Sequence, residues 1–244
     1  MTWCDAQEWI GDDVWALLPI GSTEAHGPHL PLNTDVIISE GMARRAAEAL
    51  EAEGIRALIL PSLSFGVTDY ARSFAGTLGI RPQTLRALLV DLVQALRGRG
   101  VSRLCLVNSH LEPEHVRVLR GLVGVHEGVT IVFPDKTRRR WVETLPDEFQ
   151  RGACHAGAYE TSLVLAERPE LVRMTRAQSL EPLDIDLAKA MREGVTRFED
   201  AGATQAYFGD PAHAHPDEGE RIYQQLVNMI VVTIKESLSA KSSA

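Results

Sequence analysis

Cysteine is scarce in this chain, and its three copies lie far apart. They stand at positions 4, 105 and 154, so no two of them have the spacing of a zinc-ligand pair. An odd number of isolated cysteines is typical of a reducing compartment, which predicts a cytoplasmic location. The sequence also lacks an apolar run of about 18 residues and a basic start followed by an apolar segment, so neither a membrane span nor a signal peptide is predicted.

Positive charge is in short supply as well. Lysine and arginine total 25 against 33 aspartates and glutamates, which gives a net charge of −8. This balance argues against nucleic acid and against an anionic membrane surface as partners. The sequence contains no internal repeat and no low-complexity linker. We therefore expect one domain over residues 1–244, with a disordered tail at about 237–244.

Two segments carry most of the side chains that can do chemistry. Residues 21–35 read GSTEAHGPHLPLNTD, residues 108–112 read NSHLE, and each segment follows an apolar run. The first contains Glu-x-His and the second His-x-Glu. Residues two apart in an extended segment point the same way, so each pair can face one point. The four side chains are Glu24, His26, His110 and Glu112, with Asp35 as a fifth candidate.

Strand-like and helix-like segments alternate along the chain. Apolar runs at 14–19, 57–61, 101–107 and 129–133 predict strands, and the stretches between them contain amphipathic helical patterns. This alternation favours an α/β fold, a three-layer α/β/α sandwich with a largely parallel sheet. Because the carboxyl ends of parallel strands meet at one edge, we expect the two polar segments to lie together there.

Three helices have predicted ends that concern the site or the tail. A helix over residues 36–53 is expected, with Asp35 as its N-cap. Another is expected from Pro113 to about Val125, and a last one from Pro216 to about Lys235. Capping uses only one lone pair of a carboxylate, so Asp35 can also face a ligand.

The charge of the clustered side chains suits two divalent cations. Glu24, Asp35 and Glu112 bring three negative charges against four positive ones, and a bridging hydroxide would supply the fourth. Mixed nitrogen and oxygen ligands fit zinc, manganese or iron better than magnesium or calcium. Paired metals in hydrolytic sites lie roughly 3.5–4 Å apart. A carboxylate can span that gap, and we expect Asp35 to be the bridge.

The first segment resembles the signature of the creatininase (creatinine amidohydrolase) family. The matching residues, 19–31, read PIGSTEAHGPHLP and are followed by Asp35. NSHLE at 108–112 resembles the second motif of the family, and HAGAYETS at 155–162 resembles the third. The resemblance implies a metal-dependent amidohydrolase with a dinuclear site, on a three-layer α/β/α fold. It also implies a homo-oligomer, commonly a hexamer.

The same resemblance implies a role for each matching residue. His155 corresponds to the catalytic histidine, and Glu112 is expected to contribute to catalysis as well. Two divalent ions per subunit are implied, with zinc as the first choice and manganese or iron as alternatives. One ion would be bound by Glu24, His110 and Asp35, and the other by His26, Glu112 and the same Asp35.

Three positions depart from the family pattern. Leu111 stands where creatininase has an aromatic residue that contacts the substrate, and Cys154 and Ala158 stand where relatives often have acidic residues. These changes leave the expected metal ligands intact. An aliphatic side chain supports a flat ring less well, so we expect a small cyclic or linear amide other than creatinine as the substrate.

Further residues are expected to support the pocket. His29 belongs to the signature without being a metal ligand, which indicates a hydrogen-bonding role. Glu160 is expected to orient a metal ligand or His155. Gly76 and Thr77 are expected in a wall of the pocket, with an ordinary surface loop as the alternative.

Other charged or imidazole groups are expected at the surface. The basic run from Lys136 to Arg140 is interpreted as a solvated face, with a subunit contact or a clamp for an anionic substrate as the alternative. His213 and His215 form an H-x-H pair without a neighbouring carboxylate pattern, so a surface loop or a lip near a neighbouring subunit is expected. His115 and His126 are expected to be exposed.

The expected reaction is attack of a metal-held hydroxide on an amide carbonyl. His155 would pass the proton to the departing nitrogen. Three alternatives stay open at this point. They are a maturation peptidase acting on a small peptide precursor, a thiol hydrolase using Cys154 with His155, and a metal-binding relative without activity.

Overall fold

The chain folds around one five-stranded sheet. A computed structural model describes residues 2–242. The strands are β1 (Trp15–Ile20), β2 (Ala57–Ile59), β3 (Arg103–Asn108), β4 (Gly124–His126) and β5 (Val129–Val132). The α-helices of the described residues are α1 (Trp3–Trp9), α2 (Thr34–Ala52), α3 (Pro82–Arg97), α4 (Pro113–Arg120), α5 (Arg139–Val142), α6 (Asp147–Gln150), α7 (Ala158–Glu167), α8 (Met174–Ala177), α9 (Leu187–Arg192) and α10 (Pro216–Ser242).

The sheet is parallel except at one edge. Its strand order is β2-β1-β3-β5-β4, and only β4 runs antiparallel to its neighbour. The predicted α/β sandwich with a largely parallel sheet is confirmed. No helix within residues 2–242 combines the length and the apolar character needed to cross a membrane.

Alternating residues of the central strands fill two separate cores. Leu17 and Val107 point towards the layer formed by α2, α7 and α10. Leu18 and Leu106 point the opposite way, towards α3 and α4. Both faces of the sheet are therefore buried, which explains why its strands read as continuous apolar runs rather than as alternating patterns.

Strand β4 differs from the sequence-based expectation. The helix expected to reach Val125 ends at Arg120, and a hairpin follows. The turn residues Glu127 and Gly128 both have positive φ angles, 51° and 81°. Positive φ at both central residues is the geometry of the two-residue turns that match strand twist, so a hairpin replaces the last predicted helical turn.

The last helix is longer than predicted. Helix α10 continues past Lys235 to Ser242. Residues 237–242, expected in a disordered tail, are therefore helical, and the final two residues of that segment lie outside the described range.

The ends of β1 and β3 place the two polar segments side by side. Ile20 pairs with Asn108, so both loops start at the same level of the sheet. Gly21 then allows a close approach to the start of α2, because a Cβ there would lie 2.5 Å from the Val36 nitrogen. Asn33 is the N-cap of α2, and Asp35 lies in the first turn instead of capping it as expected.

Candidate metal centre

Three ligand-type atoms meet at the ends of β1 and β3. His110 Nδ1 lies 3.1 Å from Asp35 Oδ2 and 3.3 Å from Glu24 Oε1. The His110 ring is held by its Nε2–H, which donates to the carbonyl of Val67 at 2.6 Å. Nδ1 is then the nitrogen free to bind a cation. The three side chains are buried, and their ligand atoms all lie within 4.8 Å of one another.

A second group of the same kind shares Asp35. His26 Nε2 lies 3.6 Å from Asp35 Oδ1 and 3.5 Å from Glu160 Oε2. His26 Nδ1–H donates to the carbonyl of Glu24 at 3.1 Å, which leaves Nε2 facing the carboxylates. Nε2 has no hydrogen-bond partner although it is buried. Glu160 is held in place because its Oε2 accepts the N–H of Ala156 at 2.7 Å.

Asp35 lies between the two groups, with one oxygen towards each. Its Oδ1 faces His26, and its Oδ2 faces His110 without a hydrogen-bond partner. Unpaired buried polar atoms are costly unless something binds them. Two orphaned atoms, Oδ2 and His26 Nε2, therefore lie where cation ligands would be needed. The donor set fits the expected divalent cations.

The electrostatics of the cluster favour positive charge. Burial alone would lower the pKa of His26, but the carboxylates of Asp35, Glu160 and Glu24 outweigh it and raise this pKa to about 10. Burial would likewise lower the pKa of His110, yet Glu24 and Asp35 raise it well above its usual value. The two imidazoles thus attract protons from the solvent, as expected for a site built to hold cations.

Glu112 does not join either group. Its Oε2 accepts the backbone N–H of Asp69 at 2.7 Å and that of Tyr70 at 3.3 Å. Burial raises the pKa of Glu112 to about 7, against the lowering effect of His110. The carboxylate predicted to bind the second ion is therefore tied to a loop, whereas Glu160 occupies the corresponding position beside His26.

His155 packs against the cluster from the other side. Its Nε2–H donates to the carbonyl of Ala25 at 3.0 Å, and its Nδ1 lies 3.8 Å from Glu24 Oε1. The ring contacts those of His26 and Phe198, with centroids 4.4 Å and 4.5 Å away. Burial and the charge of His26 lower the pKa of His155 to about 4. The imidazole is therefore neutral at pH 7, with Nδ1 able to accept a proton.

The loop that carries His155 is clamped by Glu148, a residue that sequence reasoning missed. Glu148 Oε1 accepts the N–H groups of Ala158 and Asp210 at 3.0 and 2.8 Å, and Oε2 accepts that of Tyr159 at 2.7 Å. Glu148 thereby joins the first turn of α7 to the loop at 208–210. No motif marks this glutamate, because its partners are backbone groups.

His29 connects the signature loop, residues 21–35, to the neighbouring elements through hydrogen bonds. It is buried, and its Nε2 forms a 2.9 Å hydrogen bond with the hydroxyl of Thr161. Its backbone carbonyl accepts the N–H of Arg173 at 2.9 Å. These contacts give His29 the hydrogen-bonding position expected from the sequence, one that links the signature loop to α7.

Gly76 and Thr77 brace the signature loop rather than line the cavity. Thr77 Oγ1 accepts the N–H of Ala25 at 3.1 Å. A Cβ at Gly76 would meet the side chain of Leu32. Neither residue is among those that line the cavity above the cluster. The predicted pocket wall is therefore a support one layer further out.

His115 is buried instead of exposed. Its Nε2–H donates to Asn108 Oδ1 at 3.1 Å, its Nδ1 accepts the N–H of Val67 at 3.3 Å, and its ring lies edge-on to that of His110. The residue thus fixes the segment that orients His110. Helical spacing could have identified it, because His115 and Leu119 are four residues apart on the buried side of α4.

The basic run at 136–140 is only partly solvated. Lys136 is 2% exposed, whereas Arg138, Arg139 and Arg140 have largely exposed side chains in surface ion pairs. His213 and His215 are exposed, as predicted for a surface loop. The interpretation as a solvated face therefore holds for the arginines and is wrong for Lys136.

A cavity of about 330 Å³ opens above the cluster. Its floor contains Glu24, Asp35, His110, Glu112, His155 and Glu160. Its walls are mainly apolar, and Arg192 and Asp186 also line it. The apolar wall residues are Tyr70, Leu111, Val142, Phe149, Leu187, Met191 and Phe198. A polar floor under apolar walls is the usual form of a small-molecule site.

Comparison with known proteins identifies the family. A model of the Creatininase family, described as creatinine amidohydrolase, matches residues 1–234. The chain belongs to the creatininase family. A mycofactocin precursor peptide peptidase of Mycobacterium tuberculosis is 33% identical over 224 residues, covering 87% of this chain and 81% of that protein. A creatinine amidohydrolase of Pseudomonas putida is 30% identical over 202 residues, covering 75% of each chain.

Solved creatininase-family structures have the same fold. A manganese form of creatininase is 25% identical, with a TM-score of 0.70 and coverage of 97% of this chain and 96% of that one. Another solved structure, a mutant creatininase, is described as a Zn-Zn type. The two relatives named above, a creatinine amidohydrolase and a precursor peptide peptidase, are hydrolases of amide bonds by their names. The buried groups described above consist of residues that could bind metal.

Proposed function

We propose that this creatininase-family protein is a metal-dependent hydrolase that cleaves an amide C–N bond with two divalent ions, zinc as first choice and manganese or iron as alternatives. The observation that carries the proposal is Asp35, whose two oxygens each face a histidine nitrogen that is free to bind a cation. One ion would be held by Glu24, Asp35 and His110, and the other by His26, Asp35 and Glu160.

Glu160 replaces Glu112 as the third ligand of the second ion in this proposal. Glu160 Oε2 lies 3.5 Å from His26 Nε2 and accepts one backbone N–H, that of Ala156, whereas Glu112 belongs to neither group of clustered ligand atoms and its Oε2 accepts two backbone N–H groups. Three carboxylates still surround the two ions, so the charge balance expected from the sequence is kept.

The bound ions would supply a water of lowered pKa and a polarised carbonyl. Glu112 has a pKa of about 7, so near neutral pH it can take a proton from water and return it to the amide nitrogen. Its Oε1 is the oxygen left for this task, because Oε2 is engaged by backbone N–H groups. His155 is neutral, and its Nδ1 is free to accept a hydrogen bond or a proton during the reaction.

The cavity walls favour a substrate with an apolar group beside the amide. Leu111, Phe149 and Met191 line the space above the floor. Apolar walls gain free energy from burying apolar surface, but the aliphatic side chain at position 111 offers no flat ring for stacking. A small cyclic or linear amide other than creatinine is therefore proposed as the substrate.

A maturation peptidase acting on a small peptide precursor is the second candidate. It is favoured by the 33% identity to a mycofactocin precursor peptide peptidase over most of both chains. A peptide end with an apolar side chain would fit the same walls.

The thiol alternative is disfavoured by the surroundings of Cys154. Burial raises the pKa of this thiol, as do the nearby carboxylates of Glu160 and Glu148. A protonated thiol is a poor nucleophile. A relative without activity is disfavoured because both proposed ligand groups and His155 are complete.

The proposal is tested by metal analysis and a hydrolysis screen. Protein purified without chelators should contain about two zinc, manganese or iron ions per chain, and loaded protein should hydrolyse some members of a panel of amides, lactams and short peptides. Fewer than one ion per chain, after reconstitution, would overturn the proposal. A hexameric mass by light scattering would support the assembly that the family resemblance implies.

A further inference from the structure

Lys136 is a buried cation that the proposed reaction does not use. The residue lies just after β5 in the sequence, and it is 2% exposed. Nζ lies 3.5 Å from Ser109 Oγ and 5.6 Å from the centroid of the Tyr159 ring. No carboxylate within residues 2–242 forms an ion pair with it. A buried ammonium with so few partners needs an electrostatic reason to be there.

Each of the two residues that Lys136 contacts is followed in the sequence by a proposed metal ligand. Ser109 is adjacent to His110 of the first ligand group, and Tyr159 is adjacent to Glu160 of the second. Burial lowers the pKa of Lys136, and among the groups that oppose this effect Glu160 is the strongest, followed by Cys154 and Asp35. The ammonium therefore lies within electrostatic reach of Glu160 and Asp35, and it forms no ion pair with either of them in the described part of the chain.

We propose that Lys136 acts as a fixed counter-cation that weakens binding of the second divalent ion, and so sets the metal affinity of the group formed by His26, Asp35 and Glu160. The proposal rests on the proposed function. Without metal, a positive charge behind the carboxylates reduces their mutual repulsion. With metal, the same charge opposes each incoming dication.

The sign of this effect follows from the charges. Glu24, Asp35 and Glu160 carry three negative charges, and a bridging hydroxide would supply the fourth against two dications. Lys136 adds one more positive charge to a buried region where screening by solvent is weak. The positive charge of Lys136 thus stabilises the ionised carboxylates before metal binds, and it makes the second ion easier to release.

The test measures stepwise zinc affinity by competition with a fluorescent chelator in wild-type protein, in Lys136→Met and in Lys235→Met. Lys235 is an exposed lysine paired with Glu53, so its variant removes the same charge far from the cluster. Lys136→Met should bind the second zinc at least about tenfold more tightly. Lys235→Met should bind both ions like wild type.

A second measurement separates charge from packing. Zinc should raise the melting temperature of Lys136→Met by more than that of wild type, because the metal-free variant has lost the positive charge of Lys136 beside the carboxylates. Equal losses of melting temperature with and without zinc, or an unchanged second affinity, would overturn the inference. If the Met variant does not fold, Lys136→Gln, which keeps a donor for Ser109, is measured in the same way. Wild-type protein that binds no zinc would instead overturn the proposed function.

Discussion

At the scale of single residues, the decisive feature is how each carboxylate is engaged. Asp35 presents one oxygen to each of two imidazoles, and Glu160 presents Oε2 to His26. Glu112 has its Oε2 occupied by two backbone N–H groups. In the proposed function, the same residue type would therefore serve as a ligand at position 160 and as a proton carrier at position 112, because only Glu160 lies beside His26.

Metal content distinguishes these two roles. Glu160→Gln replaces a charged ligand with a neutral amide, so we expect it to retain about one ion per chain. Glu112→Gln should retain both ions while losing turnover. Atomic emission analysis of the two proteins after identical reconstitution gives the comparison. The reverse pattern would restore Glu112 as the ligand and remove Glu160 from the centre.

The raised pKa of Glu112 also predicts a dependence of stability on pH. The folded protein holds this proton up to a pKa of about 7. The unfolded chain releases the proton near the ordinary value, so Glu112 costs stability as the pH rises from about 4.5 to about 7. Metal-free Glu112→Gln avoids this cost, and from pH 5 to pH 8 it should gain up to about 3 kcal/mol relative to wild type.

Urea unfolding at the two pH values, in the presence of a chelator, measures this difference. Glu114→Gln is the matched control, since Glu114 is an exposed glutamate two residues further along that pairs with Arg117. Parallel pH dependences in all three proteins would mean that the Glu112 carboxyl titrates normally.

At the scale of secondary-structure elements, the starts of two helices near the ends of the strands position the chemistry. Helix α2 starts beside the end of β1 and presents Asp35 in its first turn. Helix α7 starts beside the His155 loop and presents Glu160. Glu148, in α6, ties the start of α7 to the loop at 208–210.

Removing that tie should weaken the fold and the site together. Glu148→Gln has one acceptor oxygen in place of two, so at least one of three backbone N–H groups is left without a partner. A loss of about 1–3 kcal/mol in the free energy of unfolding is expected. Glu143→Gln, at an exposed ion pair with Arg139, should change stability much less. Equal stability of the two variants in urea would contradict a clamping role.

The sequence predicts the frame of the site better than its details. Strand alternation and the long signature place residues 21–35 and 108–112 at one edge of the sheet, as the pairing of Ile20 with Asn108 bears out. The sequence could not show which of the two glutamates, Glu112 or Glu160, lies beside His26. Their engagement depends on N–H groups from residues 69–70 and from Ala156, and sequence spacing contains no information about such contacts.

The sequence also failed to predict which polar side chains are buried. Lys136 and His115 are polar residue types that usually face solvent, and no local pattern contradicted that expectation for Lys136. For His115, the helical spacing to Leu119 contained the information. Long-range contacts of the two side chains, with Tyr159 and with Val67, decide their positions.

At the scale of the whole molecule, the proposed metals would link the central sheet to the helical layer that contains α2 and α7. Their ligands come from the ends of β1 and β3 and from the starts of α2 and α7. Metal binding to the folded chain alone raises its stability by mass action. The metal centre would then act as a crosslink between the sheet and the helical layer.

Removal of metal should therefore lower the melting temperature of the whole chain in one transition. Zinc at 100 times its dissociation constant adds about 2.7 kcal/mol, which is roughly 5–10 °C for a chain of this length. Calorimetry of chelator-treated protein, with and without added zinc, checks this value. Magnesium, which favours all-oxygen shells, serves as the control ion. An unchanged melting temperature with zinc would argue against binding at this position.

The missing side chain at Gly21 has a consequence for the separation of the two proposed ions. Even one added carbon would overlap the backbone of α2 at Val36. The helix would have to retreat, and Asp35 would retreat with it, stretching the distance that one carboxylate must cover. The fold could tolerate such a shift more easily than the bridge could. Gly21, which has no side chain to take part in the reaction, would thus keep the two proposed cations within reach of a single aspartate.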